Sequence, residues 1–201
     1  MGGEVPIYDN RKGPYGPHPP TEGETLDAFA QHMAAWQPVF ITLATVCATL
    51  AGLLFVAISL HPANRDEAGK TNLRRLAEHT FADFLLVLFI GLFFSVPGQP
   101  PQFYALSTVL IVAAGTREPA QRILEAWRDR THAAHRMHFL RRVGPSLLGR
   151  VLLLIGSATL YLHRADGTQI EQDMLWFFSG SLVPLIAAMR NAWFLILQEA
   201  T

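Results

Sequence analysis

Ionisable side chains occur inside three of the long apolar runs of this 201-residue chain. Asp83 lies near the start of one run, Arg150 lies near the start of another, and Arg190 interrupts a third. A charged side chain in hydrocarbon is costly unless it meets a partner, so each of them predicts a polar contact inside a membrane. Their depths, counted from the ends of the runs, are comparable, which favours a single polar cluster. Its predicted members are Ser59, His61, Asp83, Arg150, Arg190 and Asn191.

Within this cluster we predict an ion pair between Asp83 and Arg190, because pairing lowers the cost of burying either charge. Three interpretations of the cluster are open at this point. It is a structural clamp that fixes the register of the helices, or it lines a site for an ion, a proton or a ligand. In the third interpretation, Arg150 or Arg190 only extends to the lipid headgroups.

The chain carries no motif of a known enzyme class. A G-x-S-x-G nucleophile turn, a Walker phosphate loop and an H-E-x-x-H zinc helix are each missing from the sequence. The single cysteine, Cys47, lies in an apolar run, which excludes an intrachain disulfide and indicates a small buried side chain. We expect a non-catalytic protein with no cofactor, no metal and no nucleic acid partner.

Three histidines, His132, His135 and His138, recur at a spacing of three in a basic stretch. On an ideal helix they spread over about 120°, which is too wide for one tetrahedral metal site without a further segment. The stretch 117–142 as a whole is predicted to form a basic helix. Such a helix lies on an anionic membrane surface on the cytoplasmic side or against a partner.

The apolar runs that carry these residues have the composition of membrane spans. A spanning helix needs about 20 mainly apolar residues, because no backbone polar group goes unpaired in hydrocarbon. The third of five runs is shorter, so it either spans with local thinning of the bilayer or forms a re-entrant segment. The chain is therefore predicted to be an all-α transmembrane bundle of about five spans. These are Pro38–Leu60, Phe81–Val96, Phe103–Thr116, Val143–Leu162 and Trp176–Leu197.

Arginine and lysine are unevenly distributed among the connections between these runs. Eleven lie in the connections 61–80 and 116–145, whereas three lie in the N-terminal tail and the other two connections. Because these residues accumulate on the cytoplasmic side during insertion, the bias predicts five spans with the N-terminus outside and the C-terminus in the cytoplasm. Aromatic side chains at span ends assigned to the outer interface agree with this orientation, namely Trp36, Tyr104, Tyr161 and Trp176.

Small residues recur along two of the predicted spans. Ala44, Ala48 and Gly52 follow one another at intervals of four in the first span, and Gly149 and Gly156 lie in the fourth. Such positions let another helix approach closely. The partner helix belongs either to the same bundle or to a second chain.

Two segments rich in proline and glycine lie outside the spans. Residues 1–35 lack the apolar core of a signal peptide and are predicted to form a flexible tail outside the membrane. Within that tail, Leu26–Trp36 has the pattern of a short amphipathic helix for which Thr25 is a suitable N-cap. The segment 97–101 predicts a tight turn, so the second and third spans form a hairpin.

Several short segments carry a family resemblance. They are Gly52–Leu60 at the end of the first span, Arg75-x-x-Glu78-x-Thr80 before the second, Pro97-Gly98-Gln99 after it, and Asn191–Leu197 in the last. Over residues 36–199 the chain resembles a group of uncharacterised bacterial multi-pass proteins, some of which are labelled modulators of the FtsH membrane protease. The resemblance implies a bacterial inner-membrane protein without an enzyme assignment.

Two classes of function follow from these observations. The first is an accessory, scaffolding or modulatory subunit, whose partners are the lipid bilayer and other membrane-protein subunits or a second copy of the chain. The alternative is a homo-oligomeric channel or transporter in which the polar cluster lines the path. Inverted repeats, which many transporters contain, are not visible in the sequence.

Overall fold

The computed structural model describes residues 22–60, 67–128, 133–162 and 169–199. These residues form five α-helices, and the described part of the chain contains no strand. The prediction of an all-α bundle is confirmed. The helices are α1 (Glu22–Leu60), α2 (Glu67–Phe94), α3 (Pro101–Arg128), α4 (Ala133–Leu162) and α5 (Ile170–Glu199).

Four of these helices contain an apolar segment that is long enough to cross a membrane, which makes the protein membrane-embedded. The segments are Leu26–Ser59, Leu76–Phe94, Gly144–Leu162 and Ile170–Leu195. The apolar part of α3, Pro101–Thr116, is shorter. Helix α3 nevertheless continues through Arg128 and is 28 residues long, so the short apolar segment is only part of it.

The contacts between helices place α2 and α5 at the centre of the bundle. Helix α2 packs against α1, α3 and α5, and α5 packs against α1, α2 and α4. Helix α3 completes the arrangement by packing between α2 and α4. Helices α2, α3, α4 and α5 therefore form a four-helix group, in which α2 and α4 lie diagonally opposite each other. Helix α1 covers the α2–α5 side of that group.

A cluster of aromatic rings fills one end of the bundle, which we call the aromatic end. The ring of Phe94 on α2 lies 4.5 Å from that of Phe40 on α1, 5.0 Å from that of Tyr104 on α3 and 4.7 Å from that of Phe177 on α5. All four side chains are buried. Because one ring meets rings from three other helices, the cluster holds four helices together at this end.

The turn between α2 and α3 lies at the aromatic end and agrees with the predicted hairpin. Gly98 adopts a positive φ of 73°, a backbone conformation that side chains with a Cβ disfavour. The Tyr104 hydroxyl donates a hydrogen bond of 2.7 Å to the Val96 carbonyl, which ties the start of α3 to this turn. Gln37 of α1 donates a hydrogen bond of 2.6 Å to the Ser95 carbonyl and anchors the same turn to α1.

Glycines bring two pairs of helices into close contact. A Cβ built on Gly91 of α2 would lie 2.7 Å from the Phe40 carbonyl oxygen and 2.9 Å from the Ala44 Cβ on α1. A Cβ on Gly156 of α4 would lie 3.0 Å from the Trp176 Cβ on α5. The predicted packing role of Gly149 and Gly156 is therefore an intramolecular one, in the contact between α4 and α5.

Two predicted boundaries differ from the helices. The predicted short helix Leu26–Trp36 is continuous with the first span, and α1 begins at Glu22, so Thr25 lies inside the helix rather than at its N-cap. Burial of Phe29 and Met33 in the bundle favours this extension of α1. The stretch 117–142 does not form a helix of its own, since α3 runs to Arg128 and α4 begins at Ala133. Residues 1–21 of the predicted tail lie outside the described residues.

Candidate polar site between α2 and α4

Asp83 on α2 projects into the interior of the four-helix group. Its side chain is fully buried. Apolar side chains that are also buried, Phe84, Leu86 and Val87, follow it along α2. A carboxylate in such surroundings needs a partner of opposite charge, because the interior offers little solvation.

That partner is Arg150, which reaches Asp83 from the opposite corner of the group. Arg150 Nη2 donates a hydrogen bond of 3.0 Å to Asp83 Oδ1, and both side chains are buried. Ser146 lies one turn before Arg150 on α4 and connects the two charges. Its hydroxyl accepts a 2.8 Å bond from Arg150 Nη1 and donates a 2.6 Å bond to Asp83 Oδ1. Asp83, Ser146 and Arg150 thus form a closed triangle of hydrogen bonds that links α2 to α4.

The second carboxylate oxygen of Asp83 faces a different group. His79, one turn earlier on α2, places its Nε2 atom 3.7 Å from Asp83 Oδ2. That distance exceeds a hydrogen bond, for which about 2.7–3.2 Å is usual. Oδ2 accepts no hydrogen bond from any described residue. The two oxygens of one carboxylate therefore have unequal environments, since Arg150 and Ser146 both bond to Oδ1.

Other buried polar atoms of the bundle also lack a hydrogen-bond partner among the described residues. They are Arg150 Nε, Thr108 Oγ1 on α3, and Ser181 Oγ and Asn191 Nδ2 on α5. A buried donor or acceptor without a partner is costly and therefore uncommon. The interior of the bundle is thus polar at several levels, and the Asp83–Arg150 pair adds two opposite charges to it.

The structure corrects the predicted partner of Asp83. Arg190 is an exposed residue, whereas Asp83 is fully buried, and the arginine that contacts Asp83 is Arg150. The depth of a residue along a helix does not fix the direction in which its side chain points. On α5 the neighbouring residue Asn191 is buried, while Arg190 shares the outward face with Met189.

The remaining residues of the predicted cluster do not all converge. Ser59 is exposed, and its hydroxyl donates to the Phe55 carbonyl of its own helix. Asn191 is buried, but no hydrogen bond joins it to the pair. His61 lies outside the described residues, and nothing is described of the side chains of His132, His135 and His138. Of the predicted cluster, Asp83 and Arg150 are therefore the members that the structure brings into contact.

Ser146 and His79 belong to the site and were not predicted from the sequence. Ser146 precedes Arg150 by four residues, so the two share a face of α4, and the same spacing relates His79 to Asp83 on α2. The sequence therefore contained a signal for both residues, namely a spacing of four from Arg150 and from Asp83. A small hydroxyl residue one turn from a membrane arginine is a natural candidate for its hydrogen-bond partner.

The predicted helix-packing residues of α1 divide between two faces. Ala44 is buried against Gly91 of α2, whereas Ala48 and Gly52 are exposed. A Cβ on Gly52 would meet no atom within 4 Å. Successive positions in an i,i+4 series advance about 40° around a helix, so the series turns away from α2 over two steps.

The chemistry that this site allows is mainly electrostatic. One carboxylate and one guanidinium give a formal charge of zero, and a serine hydroxyl joins them. Within the described residues no three His, Cys, Asp or Glu side chains are grouped as a metal site would need. No protein-family model, curated protein or solved structure matches this chain.

Proposed function

We propose that this protein is a non-catalytic subunit of a membrane complex, in which it acts as an accessory, scaffolding or modulatory component. The surface through which it associates is the exposed side of α1. The partner is another membrane-protein subunit or a second copy of the chain. The buried Asp83–Arg150 pair has an internal role in this proposal, since it sets the register of α2 against α4.

The observation that carries the proposal is the position of Ala48 and Gly52 on α1. Both lie on the exposed side of the helix, among large apolar side chains such as Leu53 and Phe55, which are 62% and 65% exposed. In a bilayer, exposed apolar side chains gain little by meeting each other, because lipid is equally apolar. Small residues among them allow close backbone approach, which increases dispersion contacts between helices.

The proposed membrane is the bacterial cytoplasmic membrane, with the N-terminus outside and the C-terminus in the cytoplasm. The eleven arginines and lysines of the connections 61–80 and 116–145 support this orientation. Both connections join helix ends opposite the aromatic end of the bundle. The bacterial assignment depends on the resemblance carried by the segments around Gly52–Leu60 and Asn191–Leu197.

The test is to replace Ala48 and Gly52 together by isoleucine and to measure the assembly of the protein. Native mass spectrometry of protein extracted in a mild detergent gives the number of copies and any bound partner. We expect the double variant to insert into the membrane in normal amount but to lose its assembly. Two β-branched side chains would hold the neighbouring backbone away.

The matched control is Ala158→Ile on α4, which also adds a large side chain at an exposed alanine. This variant should retain the wild-type assembly, because Ala158 lies outside the surface that we assign to association. The proposal fails if the wild-type protein is a monomer without a partner. It also fails if the α1 double variant assembles as the wild type does.

A homo-oligomeric channel or transporter is the second candidate. Thr108, Ser181 and Asn191 favour it, because each has a buried polar atom with no hydrogen-bond partner in the described part of the chain and a solute path needs polar groups inside the bundle. A closed ring of identical chains, with solute flux in reconstituted vesicles, would support this candidate. One copy bound to a larger partner, with no flux, supports the accessory role.

A further inference from the structure

We propose that His79 and Asp83 form a binding site for a single proton inside the membrane-embedded bundle. This inference is independent of the association role proposed above, because it concerns a property of the isolated chain. The site consists of His79 Nε2 and Asp83 Oδ2. Arg150 and Ser146 hold the other carboxylate oxygen.

The geometry of the carboxylate supports this assignment. Arg150 and Ser146 both bond to Oδ1, at 3.0 and 2.6 Å. Oδ2 is buried and accepts no hydrogen bond from the described residues, while His79 Nε2 lies 3.7 Å away. A contraction of well under 1 Å would bring Nε2 within hydrogen-bond distance of Oδ2. A proton on Nε2 supplies both the donor and the charge that favour this contraction.

The ligand is a proton rather than a metal ion because of the number of groups that the site offers. A bound metal cation needs several protein ligands, and no group of three suitable side chains occurs among the described residues. A proton needs one donor and one acceptor, which His79 and Asp83 provide. A fully buried Asp83 is compatible with that ligand, since a proton occupies no cavity.

The charges around the site decide what protonation changes. With neutral His79, the charges of Asp83 and Arg150 cancel. A proton taken from water forms an N–H bond on the imidazole and raises the formal charge of the cluster to plus one. The imidazolium then competes with Arg150 for a single carboxylate, so the proton is coupled to the link between α2 and α4.

Among the described side chains, few other titratable groups lie on the helices that pack against this part of α2. The described side chains of α1 from Ala51 to Ser59 include none, and α3 contributes none up to Thr116 apart from Tyr104 at the aromatic end. Helix α4 contributes Arg150, and the nearest charge on α5 along the chain is the exposed Arg190. Glu78, next to His79 on α2, is exposed as well.

His79 lies one turn nearer than Asp83 to the start of α2. The His79 side chain is 15% exposed, whereas that of Asp83 is fully buried, so His79 lies between the carboxylate and the surface. In the other direction, about 16 Å along α2, the buried rings of Phe94, Tyr104 and Phe177 close the aromatic end.

The experiment is a pH titration by nuclear magnetic resonance of the full chain in detergent micelles, with isotope-labelled histidine and aspartate. The His79 signal is the one that His79→Gln removes. We expect this signal to shift as the pH is lowered and the imidazole takes up its proton. In Asp83→Asn its midpoint should move by at least about one pH unit, as expected for the loss of a charge within about 4–6 Å.

The matched control is His32, whose Nδ1 atom lies 4.0 Å from Glu171 near the other end of the bundle. Asp83→Asn should leave the His32 signal at its wild-type position. If Asp83→Asn does not fold, the wild-type protein still provides a test, because the Asp83 carboxyl signal should shift with the same midpoint as His79. The proposal is wrong if His79 does not titrate, or if its midpoint is insensitive to Asp83. Independent titration of the two wild-type signals would also exclude it.

Discussion

Gly149 of α4 and Gly180 of α5 face each other at backbone contact. A Cβ on Gly149 would lie 2.8 Å from the Gly180 carbonyl oxygen and would overlap the Pro184 Cδ. A Cβ on Gly180 would lie 3.1 Å from the Gly149 carbonyl oxygen and 2.9 Å from the Leu153 backbone nitrogen. Backbone atoms cannot rotate away as a flexible side chain can, so a methyl group at either position forces the two helices apart.

The first prediction is that Gly149→Ala and Gly180→Ala each destabilise the protein by about 1–3 kcal/mol, the usual cost of overpacking. The free energy of unfolding in mixed micelles, measured by denaturant titration, is the test. Gly52→Ala is the matched control, because a Cβ on Gly52 would meet no atom within 4 Å. Equal stability of all three variants would contradict the close contact of α4 and α5.

The second prediction concerns the charge pair. Asp83→Asn leaves Arg150 buried without a counter-charge, so we expect a loss of about 3–5 kcal/mol in the free energy of unfolding. Arg150→Met should cost a similar amount, and the double variant should lose less than the two single losses added together. A double-mutant cycle measures this coupling. If the effects are additive, the two residues do not form a pair.

Arg190→Met is the control for the second prediction. It removes the arginine that the sequence favoured as the partner of Asp83, and Arg190 is an exposed residue. Its coupling to Asp83→Asn in the same cycle should be smaller than that of Arg150→Met. A larger coupling would restore the pairing predicted from the sequence.

The third prediction separates the hydroxyl of Ser146 from hydroxyls that serve only their own helix. Ser146→Ala removes a donor to Asp83 and an acceptor for Arg150, so the expected loss is about 1–3 kcal/mol. Ser157→Ala is the control, because that hydroxyl donates to the Leu153 carbonyl of its own helix. Thermal unfolding of the purified variants, followed by circular dichroism, compares the two. If Ser146→Ala is as stable as Ser157→Ala, Ser146 contributes little to the stability of the Asp83–Arg150 pair.

The fourth prediction concerns orientation. A reporter that is active only in the periplasm should be silent when it is fused after Thr201, because the charge bias predicts a cytoplasmic C-terminus. The same reporter fused within the turn 97–102 should be active. Activity of the C-terminal fusion would contradict a topology of five spans with the N-terminus outside.

Much of the fold was predictable because a membrane restricts the backbone to few solutions. Long, mainly apolar runs predicted the helices, and the segment 97–101 predicted the hairpin between α2 and α3. A helix over Leu26–Trp36 was predicted, but its continuity with the first span and its start at Glu22 were not, because Phe29 and Met33 gain burial only from other helices. Sequence patterns describe one helix at a time and do not show such contacts.

The candidate site was predictable in part for the same reason. The burial of Asp83 made a cationic partner necessary, and the sequence offered Arg150 and Arg190 at similar depths. The choice between them depends on how α4 and α5 are rotated about their axes. That rotation follows from close contacts such as Gly149 against Gly180, which the sequence predicted only as a tendency of small residues to pack.

The length of α1 has a mechanical consequence. Its 39 residues extend about 58 Å, whereas the hydrocarbon core of a bilayer is about 30 Å thick. The ring of Phe29 on this helix lies 5.8 Å from that of Tyr104, whose hydroxyl is hydrogen-bonded to the hairpin turn. A force applied to the N-terminal part of α1 is therefore shared with the hairpin turn. On its way to the face of α1 that carries Ala48 and Gly52 it passes Pro38, which removes a backbone hydrogen bond inside the helix.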